Sequence, residues 1–228
     1  VTLTARDKIC CMDERKCEPD KCPYAKGHFD RVNDAVYDLI TNCDDIDRNE
    51  ILLYAEKYNV CPFEMALDVS YWCDAIICDY NYVFDPNVAL KRYFASAAKA
   101  DYIFLVDEAH NLVDRAREMY SAAIKKEDFL KVKRKVKDWD RKLASQLERC
   151  NKEMLAMKRQ CDTYKVIDVL GRLPEYLTYA YTGFQKFLER NRGNQIPQEI
   201  MDLFFSIRHF LNMYDCSDTG YVIYSEHN

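Results

Sequence analysis

Cysteine placement restricts the possible folds of this chain more than any other feature, because six of its 11 cysteines fall within the first 65 residues. They are Cys10, Cys11, Cys17, Cys22, Cys43 and Cys61. The stretch up to about Tyr24 is loop-like and has too few apolar side chains to build a core alone. The sequence shows no secretory signal pattern, and thiols inside cells stay reduced, so metal or cluster ligation is favoured over disulfides. We therefore predict a small domain, residues 1–65, that a metal centre holds together.

Helical spacing of apolar residues follows within the same domain. It predicts helices over Phe29–Cys43, with Phe29 on the apolar face, and over Asn49–Tyr58. Residues 66–117 instead have an α/β pattern: a short strand at Ala75–Cys78, a helix over Val88–Lys99 and a continuous apolar strand at Tyr102–Val106. Two such strands separated by a helix predict a βαβ unit with parallel, buried strands.

Residues 118–215 are predicted to be almost entirely helical. The predicted helices cover Ala116–Ile124, Lys126–Gln160, Tyr164–Arg190 and Pro197–Met213, with Gly171 and Pro174 breaking or kinking the third. A lone strand at Tyr221–Tyr224 is expected to return to the α/β sheet, which assigns residues 216–228 to that sheet. The fold class is thus mixed α/β and all-α.

The apolar run Tyr102–Val106 leads directly into Asp107-Glu108-Ala109-His110. A buried parallel strand presents whatever follows it at the edge of the sheet where ligands bind. Adjacent carboxylates there suit nucleotide hydrolysis, with Asp107 holding Mg²⁺ on the phosphates, Glu108 activating water and His110 coupling nucleotide to nucleic acid. The alternative is an acidic helix start that the helix dipole favours.

Two segments resemble one family. Asp-Glu-Ala-His is followed by Asn111-Leu112, and Asp79 to Pro86 is similar to a Tyr-Asn-Tyr-Leu-x-Asp-Pro segment. On these residues the chain resembles the iron–sulfur DNA helicases of the XPD/DinG type. The resemblance implies the middle of an ATP-dependent 5′→3′ helicase that moves on single-stranded DNA, with part of a RecA-like motor domain in 66–117 and Tyr80 and Asn81 near nucleic acid.

The same resemblance implies a [4Fe–4S] cluster held by Cys10, Cys17, Cys22 and Cys61, at gaps of 6, 4 and 38 residues. Prolines follow two of these cysteines, at Cys22 and Cys61, as at one ligand of bacterial ferredoxins. Zinc accepts the same four thiolates, and Cys11 is an alternative to Cys10. The gaps place the chain nearer the bacterial DinG-like branch. Cys43, Cys73, Cys78, Cys150, Cys161 and Cys216 are expected to be structural.

Positive charge is concentrated in the helical part, which the resemblance implies is a helical arch domain over the DNA. Residues 125–160 carry 13 Lys and Arg against 6 Asp and Glu, although the whole chain has a net charge of −5. This is either a surface for phosphates or a solvated helix face. Trp139 is either a stacking or a packing residue. Beside Cys22, we expect Tyr24, Lys26 and Arg31 to contact DNA, unless Tyr24 and Phe29 pack over the cluster.

Composition and missing motifs set limits on the function. No apolar run is long enough to span a membrane, so we expect no membrane partner and a cytoplasmic location. No phosphate-binding loop occurs in the 228 residues, so this chain alone is expected not to hydrolyse ATP. Expected partners are single-stranded and forked duplex DNA, with ATP and Mg²⁺, and the chain is expected to be a monomer. The rival hypotheses are a zinc- or cluster-stabilised interaction module and an electron carrier.

Overall fold

The computed structural model of this chain describes residues 1–94 and 101–226. The chain divides into two compact units, Val1–Val106 and Asp107–Asn228. The boundary falls inside the predicted 66–117 domain, and the predicted domain ranges themselves stay a prediction. Each unit is described by itself below.

The first unit is built mainly of helices. Its elements are α1 (Arg6–Ile9), α2 (His28–Asn42), α3 (Arg48–Tyr58), α4 (Pro62–Val69), a 3₁₀ turn (Ser70–Trp72), α5 (Asn81–Phe84) and α6 (Lys91–Phe94). The predicted helices over Phe29–Cys43 and Asn49–Tyr58 are therefore confirmed as α2 and α3. Of the helix predicted over Val88–Lys99, Lys91–Phe94 is helical, and residues 95–99 lie outside the described residues.

Apolar side chains, rather than a metal centre alone, form the core of this unit. Helices α2, α3 and α4 contribute Val32, Leu39, Ile51 and Met65, all 5% exposed or less. Asp47 starts α3 by accepting hydrogen bonds from two free amides of its first turn. Residues 10–27 have no buried side chain, in agreement with the low apolar content of that segment.

The predicted βαβ unit is not observed in the described residues. Ala75–Cys78 contributes one parallel bridge, Thr2 with Ile77, in which Leu3 N donates to Ile77 O at 2.8 Å. Tyr102–Val106 forms no strand and has no hydrogen-bonded partner strand among residues 1–94 and 101–226. A strand requires such a partner. Instead, the rings of Tyr102 and Phe104 contact Phe94.

Within its described residues, the second unit contains the 3₁₀ turn Ala109–Asn111 followed by five helices and two strands. These are α7 (Leu112–Met119), α8 (Lys126–Val136), α9 (Arg141–Lys158), β1 (Tyr164–Val166), α10 (Leu173–Arg190), α11 (Gln198–Cys216) and β2 (Tyr224–Glu226). Helices α8, α9, α10 and α11 pack in a ring, each against two neighbours. The helical character predicted for residues 118–215 is thus confirmed over most of that range.

Large side chains fill the centre of this ring. Phe129, Leu147, Phe184 and Ile207 are fully buried. Helices α9 and α10 approach closely at Gly183, where an added Cβ would lie 2.2 Å from Gln146 Oε1. The four helices therefore share one continuous apolar core.

Several boundaries in the second unit differ from the sequence prediction. The helix predicted over Ala116–Ile124 is α7, Leu112–Met119, and the segment Lys126–Gln160 forms the two helices α8 and α9. Tyr164–Val166 is a strand, and α10 begins at Leu173, because Pro174 occupies the first turn where its missing N–H costs no hydrogen bond.

The terminal strand is Tyr224–Glu226 instead of Tyr221–Tyr224, and it pairs antiparallel with β1. The prediction that it returns to the α/β sheet was wrong, because its hydrogen-bonded partner is β1, which apolar periodicity did not predict.

No helix in the described part of the chain is both long enough and apolar enough to cross a membrane.

Candidate functional site

The acidic tetrad Asp107 to His110 lies exposed at the start of the second unit. Asp107 Oδ1 accepts a hydrogen bond from Glu108 N at 2.8 Å. His110 Nδ1 lies 3.3 Å from Glu108 Oε2, and both side chains are about 70% exposed (73% and 68%). The two predicted catalytic carboxylates and the predicted coupling histidine are therefore neighbours, and solvent or a ligand reaches all three.

The backbone of Glu108 has an unusual conformation. Its φ of 50° lies in the left-handed region, which costs a non-glycine residue about 1–3 kcal/mol. The residue directly precedes the 3₁₀ turn Ala109–Asn111, which leads into α7. Such strain concentrates at functional positions, and here it sets the direction of the side chain predicted to activate water.

The segment predicted to lie near nucleic acid forms a tight turn in the first unit. Asp79 Oδ1 accepts from Asn81 N at 2.9 Å and starts α5, in which Tyr82 is buried. Tyr80 and Asn81 are both half-buried. Their side chains retain accessible surface, but nothing in the described residues tests their contact with DNA.

Electrostatic effects are present at Cys11 and Tyr24. Burial raises the pKa of the Cys11 thiol, and the charges of the Cys10 and Cys61 thiolates add to the increase. Burial, together with the charges of Cys11 and Cys22, raises the pKa of the Tyr24 phenol. These shifts do not distinguish Cys10 from Cys11 as a ligand, and both stay open.

Cys61 occupies the position just before α4. Burial raises the pKa of its thiol, and the backbone amides of Phe63 and Glu64 partly offset this increase. The Cys61 amide donates to His28 Nδ1 at 3.2 Å, while His28 Nε2 is buried without a hydrogen-bond partner. The amides at the start of α4 favour the Cys61 thiolate, but burial outweighs them, and the pKa of this thiol is raised on balance.

Cysteine thiolates are the donor groups that an iron–sulfur cluster requires. All 11 cysteines are free thiols, so four thiolates for a cubane cluster are chemically present. Among residues 1–94 and 101–226, however, no three His, Cys, Asp or Glu side chains are grouped closely enough to hold a metal ion. Cys17 is exposed on the loop. The donors fit the chemistry of a cluster, but their positions are not those of a formed site.

The three residues expected to contact DNA beside Cys22 have different surroundings. Lys26 is exposed, and Tyr24 is half-buried. Arg31 donates to the carbonyl oxygens of Lys26, Tyr58 and Asn59 at 2.7–2.9 Å, so its guanidinium ties α2 to the end of α3. A phosphate would compete with these structural hydrogen bonds.

Phe29 was placed on the apolar face of α2 by its spacing, but it is 86% exposed. It lies in the first turn of α2, and its ring contacts the edge of His28. Its placement on the apolar face was therefore wrong, whereas packing of Phe29 over a cluster stays a prediction. Its exposure next to Lys26 makes it an aromatic surface residue that periodicity alone could not identify.

The cysteines predicted to be structural lie largely in protein surroundings. Cys150 is buried in the helical core, and burial raises the pKa of its thiol to about 12. Cys73 and Cys161 lie 3.5 and 3.3 Å from the carbonyl oxygens of Val69 and Ser225. Cys216 is exposed.

Comparison with known proteins identifies related sequences. The sequence profile of the family described as DEAD_2 matches residues 2–129, which include the cysteine segment and the acidic tetrad. The chain is 30% identical over 78 residues to the Fanconi anemia group J protein homolog of Gallus gallus, covering 34% of this chain and 6% of that protein.

Two further relatives extend the similarity. The XPD/RAD3 helicase subunit of general transcription and DNA repair factor IIH from Saccharomyces cerevisiae is 32% identical over 63 residues, 28% of this chain and 8% of that protein. The ATP-dependent DNA helicase CHL1 of Vanderwaltozyma polyspora is 25% identical over 177 residues, 77% of this chain and 19% of that protein. The chain thus spans about a fifth or less of these relatives. They come from birds and yeasts and give no support to a placement beside the bacterial branch.

Proposed function

The chain belongs to the DEAD_2 family of XPD/Rad3-type helicases, and on that premise we propose that it is the central part of an ATP-dependent DNA helicase that moves 5′→3′ on single-stranded DNA. The observation that carries the proposal is the exposed tetrad in which Asp107, Glu108 and His110 are neighbours. In this proposal residues 1–65 carry the cluster, 66–117 belong to the first motor domain and 118–215 form the arch. The pairing of β2 with β1 instead associates residues 224–226 with the helical part.

The acidic tetrad would act on the nucleotide in the intact protein. Asp107 would hold Mg²⁺, which supplies charge neutralisation on the phosphates. Glu108 would accept a proton from the attacking water, and its left-handed backbone holds that carboxylate in a direction that an ordinary strand end does not give. His110, 3.3 Å from Glu108, would transmit the state of that carboxylate to the DNA-binding surface.

The cysteine segment would bind a [4Fe–4S] cluster through Cys22, Cys61, Cys17 and one of the adjacent pair Cys10 and Cys11. The support is the supply of free thiols, which includes all of these cysteines. A bound cluster would cross-link residues 10–27, which bury no side chain, to the start of α4. Tyr24, Lys26, Tyr80 and Asn81 are proposed to contact single-stranded or forked DNA, and Arg31 chiefly to position that segment.

The test is DNA-stimulated ATP hydrolysis by the intact protein that contains this chain. Glu108→Gln removes the proposed base and should lower the hydrolysis rate by about 100- to 10,000-fold, while affinity for single-stranded DNA is retained. Asp114→Asn is the matched control, because Asp114 is an exposed carboxylate on α7 that pairs only with Arg117. It should leave the rate unchanged.

Equal rates for Glu108→Gln and the parent protein would contradict the assignment of Glu108 as the base. An intact protein without DNA-stimulated hydrolysis would favour the rival hypothesis of an interaction module. In that case one zinc per chain without acid-labile sulfide would identify zinc, and visible absorbance would identify an iron–sulfur cluster, because Zn²⁺ has a filled d shell.

A further inference from the structure

We propose that His28 is a positioning residue of the cluster site. In this proposal its Nδ1 holds the backbone of Cys61, and its Nε2–H donates a hydrogen bond to a sulfur of the bound cluster. The inference rests on the proposed function, because it requires a cluster, but it concerns a residue that is not one of the proposed ligands and that the cysteine spacing does not indicate.

The hydrogen bond at Nδ1 determines which ring nitrogen of His28 carries the proton. His28 begins α2 and is 4% exposed. Cys61 N donates to its Nδ1 at 3.2 Å, across 33 positions of the chain. An amide N–H can only donate, so Nδ1 is unprotonated and the proton of the neutral imidazole lies on Nε2. Burial lowers the pKa of His28, in agreement with a neutral ring. His28 is therefore a donor at Nε2 and not a metal ligand through that atom.

The Nε2–H of His28 has no acceptor among the residues that the structure describes. Nε2 is buried and makes no hydrogen bond. The two carboxylates whose charges counteract the effect of burial on the pKa of His28, Asp68 and Glu64, form ion pairs with Arg92 at 3.0 Å and Arg6 at 2.7 Å. Because buried polar groups are nearly always hydrogen-bonded, we expect the acceptor to come from outside the chain.

Two of the proposed cluster ligands are connected to His28 by hydrogen bonds. Cys61 is connected directly, through its amide. Cys22 is connected by a turn in which its carbonyl oxygen accepts from Ala25 N and Lys26 N at 3.1 Å, while Ala25 O accepts from His28 N at 3.3 Å. The sulfurs of iron–sulfur clusters accept N–H hydrogen bonds, which help to set the reduction potential. A cluster sulfur is thus the acceptor whose chemistry suits the free Nε2–H.

A second side chain of the first two turns of α2 holds the same segment. Arg31 donates to Tyr58 O at 2.9 Å and to Asn59 O at 2.7 Å. His28 and Arg31 are three positions apart and lie on one face of the helix. Together they bind three backbone groups of residues 58–61. The backbone that carries the proposed ligand is therefore fixed by side chains of α2, as a preorganised metal site requires.

Two substitutions separate the roles of the two ring nitrogens. The side chain of His28→Asn can place its carbonyl oxygen near the position of Nδ1 but has no donor at the position of Nε2. The side chain of His28→Gln can place its amide N–H near the position of Nε2 but has no acceptor at the position of Nδ1. For each whole chain, purified anaerobically, we would measure the iron content, the reduction potential from visible absorbance, and the chelator concentration that removes half of the iron.

The two variants should change different quantities. His28→Asn should retain about four irons, because Cys61 N keeps an acceptor, but its reduction potential should become more negative. The reason is that the lost N–H would have stabilised the extra negative charge of the reduced cluster. His28→Gln should keep a potential close to that of the parent chain. Its chelator concentration should fall by about 10- to 100-fold, because the backbone of the ligand is no longer held.

Val32→Ala is the matched control for packing. Val32 lies one turn further along α2 and is 5% exposed, and the substitution removes buried apolar atoms without changing a polar group. It should leave the reduction potential unchanged. The proposal would be overturned by a His28→Asn potential equal to that of the parent chain, or by an equal shift in Val32→Ala. Loss of iron from His28→Asn and His28→Gln alike would assign His28 a packing role only.

The iron content of the parent chain separates a failure of this proposal from a failure of the proposed function. A parent chain with about four irons whose reduction potential does not respond to His28→Asn overturns the role of His28 alone. A parent chain with one zinc and no acid-labile sulfide, or with neither metal, overturns both, since no cluster sulfur is then present to accept from Nε2.

Discussion

Both compact units bury the apolar faces of their helices, but the second unit buries them more completely than the first. In the second unit α8 to α11 enclose a core that includes Phe129, Phe184 and Phe187. In the first unit α2 to α4 enclose a smaller core, while residues 10–27 bury nothing and Ile103 and Leu105 are more than 90% exposed (92% and 93%). The comparison teaches that the second unit is stabilised by its own packing, whereas the functional segments of the first unit lie outside its core.

The largest expected effect concerns residues 10–27, which bury no side chain. Cys61→Ser should reduce the iron bound by anaerobically purified chain from about four atoms to nearly none, because it removes the ligand that ties the loop to α4. Proteolysis should then cut preferentially within residues 10–27. Iron analysis and limited proteolysis check this, with the exposed Cys216→Ser as the control.

The same measurement on Cys10→Ser and Cys11→Ser separately decides which of the two is a ligand. We expect loss of iron from one of the two variants only, and that variant identifies the ligand. If Cys61→Ser bound as much iron as the parent chain, Cys61 would not tie residues 10–27 to α4. The contrast between the two units would then need another explanation.

A smaller effect is expected from the packed core. Phe184→Ala should lower the free energy of unfolding by about 3–5 kcal/mol, because a fully buried ring leaves a cavity between α10 and α11. Phe205→Ala, at a position of α11 that is 49% exposed, should lower the free energy of unfolding by about 1 kcal/mol or less. Denaturant unfolding followed by circular dichroism measures both. Similar losses for the two variants would show that the second unit is less tightly packed than described.

The smallest effects compare one helix cap from each unit. Asp140→Ala should lower the free energy of unfolding by about 2 kcal/mol. It removes the capping hydrogen bond from Leu143 N and a partly buried ion pair with Arg190. Asp47→Ala, which removes an exposed cap of α3, should cost about 1 kcal/mol. Asp140→Asn keeps a capping oxygen and should recover most of the difference. Equal costs for the two alanine variants would mean that the Arg190 pair adds nothing.

Sequence reasoning succeeded where the relevant interactions are local. Apolar spacing identified α2, α3 and α11 within a few residues, because each turn of a helix is formed by residues three and four apart. It placed the start of α10 at Tyr164, although this helix begins at Leu173. The tetrad and its flanking residues could also be identified from the sequence, since the motif consists of adjacent positions. The strands were not, because a strand exists only with a partner: Tyr102–Val106 has none in the described residues, and β2 pairs with an unpredicted β1.

The sequence by itself determined the family, through the tetrad and the cysteine segment, and the existence of most helices. Only the tertiary structure decided which side chains those helices expose. It left Phe29 in solvent, engaged Arg31 with three carbonyl oxygens and stacked Trp139 on Phe187. These outcomes depend on packing between distant segments, which burial energy selects and which no local pattern of residues encodes.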